Sequence, residues 1–170
     1  MTALGRRRRR PDHLFGRPGQ SALYAVLLMP TLFLVFALAI DLAGLQLDTL
    51  RLRYALDLAT VTAATAVDRD TYGRTGELRL DRNAAAATAR EYLLRNLRGL
   101  PDTAAPEQIA ARADITVINQ VPGRDPYSGA LLDRPAICAR IRVPHRFSLL
   151  TWVGMTSVRV TVTSTAEIRT

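Results

Sequence analysis

The chain has 170 residues, of which 48% are hydrophobic, so the composition excludes a wholly disordered protein and allows one domain with a modest core. All 23 basic residues are arginines, and six of them precede residue 20 together with one acid, whereas the other 17 face 14 acids. The formal net charge of +8 is therefore mainly a property of the first residues and does not indicate a basic nucleic-acid-binding domain.

The chain begins with a basic head, residues 1–19, and continues with twenty residues without formal charge, 21–40. Because a helix rises about 1.5 Å per residue, such a run matches the hydrocarbon thickness of a bilayer, and we predict a transmembrane helix over 20–40. The arginines at 6–10 predict a cytoplasmic N-terminus and an exported remainder. Pro30, inside the run, predicts a kink or a packing site against a partner helix.

Two other interpretations of this region are open. A run of five arginines can bind nucleic acid or act as a nuclear signal, although a spanning segment follows it closely. Ala37, Leu38 and Ala39 have the small-x-small form of a signal-peptidase site. The apolar run before them is longer than the core of a typical signal peptide, and the helical pattern continues beyond them, so we favour an uncleaved anchor.

The helical pattern continues to about residue 68, which predicts one helix of roughly 70 Å from about residue 20. Its exported part, 41–70, carries an apolar face with spacings of seven, four, three and four residues. That face consists of Leu45, Leu52, Leu56, Ala59 and Ala63. Asp48 with Arg51 and Arg53 with Asp57 have the spacing of helix-surface ion pairs. The face packs either on helices of other subunits or on the chain's own exported domain.

The exported domain, 71–170, is predicted to begin with a turn at Gly73 and Gly76 that ends the long helix. A second helix is predicted over 80–97, with Asp81 as its N-cap. A polar loop, 101–106, follows.

Alternation of apolar and polar residues predicts three strands in the last third of the chain, over 113–121, 136–143 and 157–168. A turn-rich loop, 122–129, separates the first two. Cys138 is the only cysteine, which excludes an intrachain disulfide, and we expect a small buried residue in a strand. Strands after a helical half predict an α+β fold, with an antiparallel sheet packed on the long helix.

The connection 147–155 is unusually apolar. Leu149, Leu150 and Trp152 make it either a segment that caps the core or a surface that meets the membrane or a partner, since Trp is favoured at interfaces.

No set of residues with the spacing of a catalytic or metal site is visible. His13 and His145 lie in different predicted compartments, and Asp125 reads as a loop acid. We therefore expect no enzyme activity, cofactor, metal, small-molecule substrate or nucleic-acid partner. A membrane-anchored enzyme is the least favoured alternative, and loss of an activity on replacing His145 would support it.

Three stretches resemble the TadE/TadG-like family of the tight-adherence (Tad, or Flp) pilus system, which has a type IV pilin-like plan. They are Gly19-Gln20-Ser21 before the apolar run with Pro30 inside it, Ile40-Asp41-Leu42 at its end, and the stretch 52–59 (LRYALDLA), similar to the family's "A-x-D-A-A". The stretch 160–166, in the last predicted strand, is also similar to the end of such proteins. The resemblance implies assembly with other pilin-like subunits and with pilus or secretion machinery.

Cleavage of the leader, as in prepilins, would follow Gly19 and leave Gln20 as the first mature residue. Tyr24 then occupies the position where prepilins resemble one another in having Glu. This departure favours a minor pilin, incorporated into a surface pilus, or an assembly component that stays in the inner membrane, over the major fibre subunit. An unrelated single-span membrane protein with an extracellular binding domain is the alternative.

Overall fold

One helix, α1 (Pro18–Ala63), extends through the first third of the molecule. The computed structural model describes residues 18–101 and 105–168, with side chains from residue 22, so the basic head at 1–17 lies outside the described residues. The remaining elements are α2 (Arg69–Thr75), α3 (Arg82–Arg98), α4 (Pro106–Ala111), β1 (Asp114–Ile118), β2 (Gly123–Arg124), β3 (Leu131–Leu132), β4 (Ala136–Arg146), a 3₁₀ turn (Leu150–Val153) and β5 (Ser157–Glu167).

Helix α1 has 46 residues and is helical through Pro30, as the sequence predicts. Its length is therefore about 70 Å. The hydroxyl of Thr31 donates to the carbonyl of Leu27 at 3.0 Å, so this polar side chain is satisfied within the helix. The most apolar stretch of α1 has a mean hydropathy of 2.5, so α1 is long and apolar enough to cross a membrane. Only 6% of the residues in that stretch are buried.

The predicted end of the long helix is wrong by five residues, since α1 ends at Ala63 instead of about residue 68. The chain leaves the helix because Val67 forms an isolated antiparallel bridge with Leu80. Asp68 then caps α2, a helix that the sequence analysis placed in a turn. Gly73 lies inside α2, and only Gly76, with φ of 70°, has the left-handed conformation that ends it.

The sheet is antiparallel, in the order β1-β4-β5, and confirms the predicted α+β fold. Its strands lie at the three predicted positions, although β1 ends three residues earlier, at Ile118, and β4 extends three residues further, to Arg146. Short elements that were not predicted lie at two of the loops. Helix α4 begins at Pro106, the last residue of the polar loop, and β2, inside the turn-rich loop, pairs with β3 just after it.

The second half of α1 and helix α3 cover one face of this sheet. Asp81 caps α3 as predicted, accepting bonds from the N–H groups of Asn83 and Ala84. The main core cluster is apolar and draws on five elements, α1, α3, α4, β4 and β5, and on Ala113 just before β1. Its buried members are Leu52, Ala55, Leu56, Ala59, Leu93, Leu97, Ala110, Ala113, Ala139, Ile141 and Val162.

The opposite face of β4 is covered near its start by the β2–β3 loop. Leu132, Ala136 and Cys138 are buried there, with Tyr127 packed against them. Cys138 is thus a small buried strand residue, as expected from the sequence. Arg140, next on this face, lies over the Tyr127 ring at 4.6 Å.

Candidate functional site: the junction between the apolar helix and the sheet

Asp41, the first charged residue after the apolar run, joins α1 to a segment more than one hundred residues away. Its side chain is buried, with 4% of the residue exposed. The carboxylate accepts hydrogen bonds from the backbone N–H groups of Ser148 at 3.0 Å, Leu149 at 2.9 Å and Leu150 at 2.7 Å. Hydrogen bonds to an ionised acceptor are stronger than neutral ones, so Asp41 holds this segment firmly.

The three N–H groups converge because the chain enters the 3₁₀ turn (Leu150–Val153) at this point. The residue at the cap position, Leu149, has no polar side chain and makes no capping bond. Asp41 therefore supplies from α1 the acceptor that a serine or aspartate would supply locally. The sequence analysis did not find this role, because nothing local relates residue 41 to residues 148–150.

The segment 147–155, which we name the tip segment, has a buried side and an exposed side. Phe147 and Leu150 are buried and Leu149 is half-buried. Trp152 is 88% exposed, and Val153 and Met155 are also exposed. Of the two interpretations from sequence, core capping holds for Leu150 and fails for Trp152.

Helix α1 also contacts the tip segment through the 3₁₀ turn. Within residues 22–40 the one buried side chain is Ala37, one helical turn before Asp41 and on the same face. The junction therefore lies at the end of the apolar run.

His145 forms a second link between α1 and the sheet. Its Nδ1 lies 3.0 Å from a carboxylate oxygen of Asp48, and its side chain is 14% exposed. The ring meets that of Phe147 edge-on, with centroids 5.6 Å apart. His145 is thus partly buried near the end of β4, where its ring packs on Phe147. Asp48 also lies 3.7 Å from Arg51, one of the two predicted surface pairs, and Arg53 lies 4.0 Å from Asp57 in the other.

The predicted packing face of α1 lies against the chain's own core. Leu52, Leu56, Ala59 and Ala63 are buried there, and Leu45 is half-buried. Of the two alternatives from sequence, contact with the chain's own domain is the one that the structure shows. The small residues allow β5 to approach, and the Thr60 and Ser164 hydroxyls meet at 2.8 Å.

Asp125 forms a separate buried centre that the sequence analysis took for a loop acid. Its carboxylate accepts bonds from the Tyr127 N–H at 2.8 Å, the Ser128 hydroxyl at 2.6 Å and the Thr165 hydroxyl. Burial raises the pKa of this carboxyl, but the hydrogen bonds outweigh it and the pKa lies below its ordinary value. The pattern Asp-Pro-Tyr-Ser at 125–128 was the available signal, since Asp favours turns that bond the N–H two residues on.

Neighbouring Cys138 is chemically quiet. Burial, and then the nearby Asp125 charge, raise the pKa of its thiol to about 12. The thiol is therefore neutral at physiological pH, and the thiolate is the reactive form. Residues 18–101 and 105–168 contain no group of three or more His, Cys, Asp or Glu side chains placed to hold a metal ion.

Gly19 and Gln20, the predicted processing site, lie in the first turn of α1, and the side chain of Gln20 is outside the described residues. Pro30 and Tyr24 lie on the exposed apolar part of the helix.

No protein-family model, no curated protein and no solved structure matches this chain. A function for it therefore has to come from its own residues and their geometry.

Proposed function

We propose that this chain is a non-enzymatic, single-span membrane component of pilus-assembly or secretion machinery, with the TadE/TadG-like plan that its sequence resembles. The basic head would lie in the cytoplasm and the α+β part outside the membrane. The chain would act as a minor pilin or an anchored assembly protein.

The observation that carries the proposal is the continuity of α1 across two environments. Residues 22–36 are all exposed, and fifteen consecutive helical positions point in every direction around the axis. A helix that is apolar all round needs lipid or protein cover on all sides. From residue 52 to residue 63 the same helix is part of an ordinary core, so one rod would connect an anchor rigidly to a folded domain.

This arrangement restricts where other subunits can bind. The face 52–63 is already occupied by the chain's own sheet and by α3. Contacts with neighbouring helices would therefore use residues 22–36, which include Pro30. Tyr24, exposed in this stretch, cannot supply the negative charge that a glutamate there would offer to a neighbouring N-terminus. A minor or anchored role fits this better than the repeated packing of a fibre subunit.

Site-specific photo-crosslinking in membranes of the native host tests the assembly role. Phe33→p-benzoylphenylalanine places the probe on the exposed apolar helix, and Leu58→p-benzoylphenylalanine places it on the exposed side of the core half. We expect crosslinks from position 33 to other pilin-like helices, identified by mass spectrometry, with few from position 58. Crosslinks only to lipid would favour the rival, an unrelated anchored binding domain.

The mass of the mature N-terminus tests the processing question separately. An uncleaved chain, or one that lacks only the initiating Met, fits an anchored assembly protein. Loss of residues 1–19 would instead show that Gly19 is recognised as a prepilin cleavage site despite Tyr24.

A further inference from the structure

We infer that the tip segment is a second membrane contact, which places Trp152, Val153 and Met155 in the headgroup region of the bilayer that α1 crosses. This inference rests on the membrane anchor and not on the pilus role. It concerns the lipid surface itself and no protein partner.

The position of the tip segment carries the first step. Asp41 follows directly on the apolar run and so marks the level where α1 leaves the hydrocarbon. The Leu150 N–H is bonded to Asp41 at 2.7 Å. Trp152 follows two residues later, and two residues of chain reach at most about 7 Å. The exposed side of the tip segment therefore lies within headgroup range of the end of the span.

The character of its side chains carries the second step. Among the described residues, Trp152 is the most exposed large hydrophobic side chain, and Val153 and Met155 lie beside it. They project from a well-held turn, with Leu150 buried and Gly154 at φ of 87° closing it. Tryptophan prefers the membrane–water interface, where its ring meets lipid and its N–H meets water. A fixed apolar surface at this level is thus suited to lipid.

The charges near the tip segment also favour contact with a lipid surface. The sequence has no acid between Asp133 and Glu167, so the charged residues of the β4–β5 hairpin are arginines apart from Glu167 at its end. Arg146 ends β4 and Arg159 lies near the start of β5, both exposed and both adjoining the tip. Arginines at this level can pair with the phosphates of lipid headgroups. A binding site for a protein partner would not have to lie at the level where the apolar run ends.

Trp152 is the only tryptophan, so the tryptophan fluorescence of the full-length chain reports the surroundings of the tip segment. The protein is reconstituted at high lipid-to-protein ratio into vesicles of phosphatidylcholine with phosphatidylglycerol. Quenching of tryptophan fluorescence is measured with aqueous iodide and with lipids brominated on the acyl chain. The matched control is W152F/Y72W, which moves the single tryptophan to exposed α2, at the other end of the α+β part.

We expect Trp152 to be quenched by brominated lipid and shielded from iodide, with emission at shorter wavelength than the control. The tryptophan at position 72 should show the reverse. Equal iodide quenching at both positions, without quenching by brominated lipid, would overturn the inference. A blue shift that disappears as lipid is added in excess over protein would also overturn it, because it would show that Trp152 meets a second copy of the chain.

Discussion

Asp41 shows how one carboxylate can organise a junction between distant parts of a chain. It is buried on a helix, where an unpaired charge is costly, and three convergent N–H groups offset that cost. The arrangement links the end of the apolar run to the connection between β4 and β5. The position of the tip segment relative to the apolar helix therefore depends on this residue.

Replacing Asp41 by Asn should loosen the tip segment. The amide keeps one acceptor oxygen, but its NH₂ group faces N–H donors and the charge is lost. We expect faster hydrogen exchange at Ser148, Leu149 and Leu150, measured by mass spectrometry on the detergent-solubilised protein. Asp57→Asn, which changes only an exposed pair at 4.0 Å, is the control and should leave this exchange unaltered. Equal exchange in wild type and Asp41→Asn would contradict the role given to Asp41.

Asp125 stabilises the α+β part, and this stabilisation is lost at acid pH. Its pKa is lower in the folded chain than the ordinary 3.8, so the unfolded state binds the proton more tightly. The stabilisation is therefore complete at neutral pH and is lost as the pH falls below about 4 through the folded pKa. We expect the free energy of unfolding in urea to fall over this range.

The variant Asp125→Asn separates this effect from that of other carboxyls. At pH 7 it should lose on the order of 2 kcal/mol, because hydrogen bonds to a charged group are worth about 1.5–3 kcal/mol. At pH 3 the two proteins should approach each other in stability. A constant difference across the pH range would show that Asp125 is protonated or unpaired at neutral pH.

Among the elements, α1 combines an exposed apolar first part with a second part that packs in the core. Residues 22–36 are almost all apolar and are exposed, whereas between residues 52 and 63 the side chains alternate between a buried stripe and an exposed side. The buried stripe belongs to the core of the α+β part, and this half of α1 therefore folds together with α3 and the sheet.

Two leucines on opposite sides of α1 test this division. Leu56 is 1% exposed and Leu58 is 39% exposed. Leu56→Ala should destabilise the chain by about 2–5 kcal/mol through lost burial and a cavity, measured by urea unfolding in detergent. Leu58→Ala should change stability by less than about 0.5 kcal/mol. A large effect at Leu58 on the purified protein would mean that another molecule covers that side.

For the molecule as a whole, the arrangement across the membrane is the property on which the proposed function depends. With arginines before the span, the head should be cytoplasmic and the α+β part should be outside. Cys138 is buried and its thiol is neutral, so it should not react with a maleimide. Cysteines introduced elsewhere can therefore report on which side of the membrane they lie.

We expect a membrane-impermeant maleimide to label Tyr72→Cys in intact spheroplasts and to label Thr2→Cys only after lysis. Tyr72 is exposed on α2, so its accessibility depends on topology and not on unfolding. The opposite labelling pattern would invert the topology. Labelling of both in intact spheroplasts would exclude a single span between them.

Several features of the fold could be predicted from sequence because they depend on neighbours along the chain. Helix α1 follows from its apolar run and its spacing, the three strands follow from alternation, and Asp81 follows from its place before a helical stretch. The end of α1 could not be predicted, because the Val67–Leu80 bridge that ends it is a tertiary contact. Helix α2 and the β2–β3 pair could not be predicted either, because elements this short give too weak a periodic pattern.

Hydropathy and periodicity are local properties, so the amino-acid sequence is enough to predict an apolar helix long enough for a membrane, followed by an α+β part. The packing of residues 52–63 on the chain's own sheet, the bonds from Asp41 to the tip segment and the burial of Asp125 became visible in the folded structure alone. Each of these depends on which distant groups meet, and the free energy of such a meeting is a property of the packed whole.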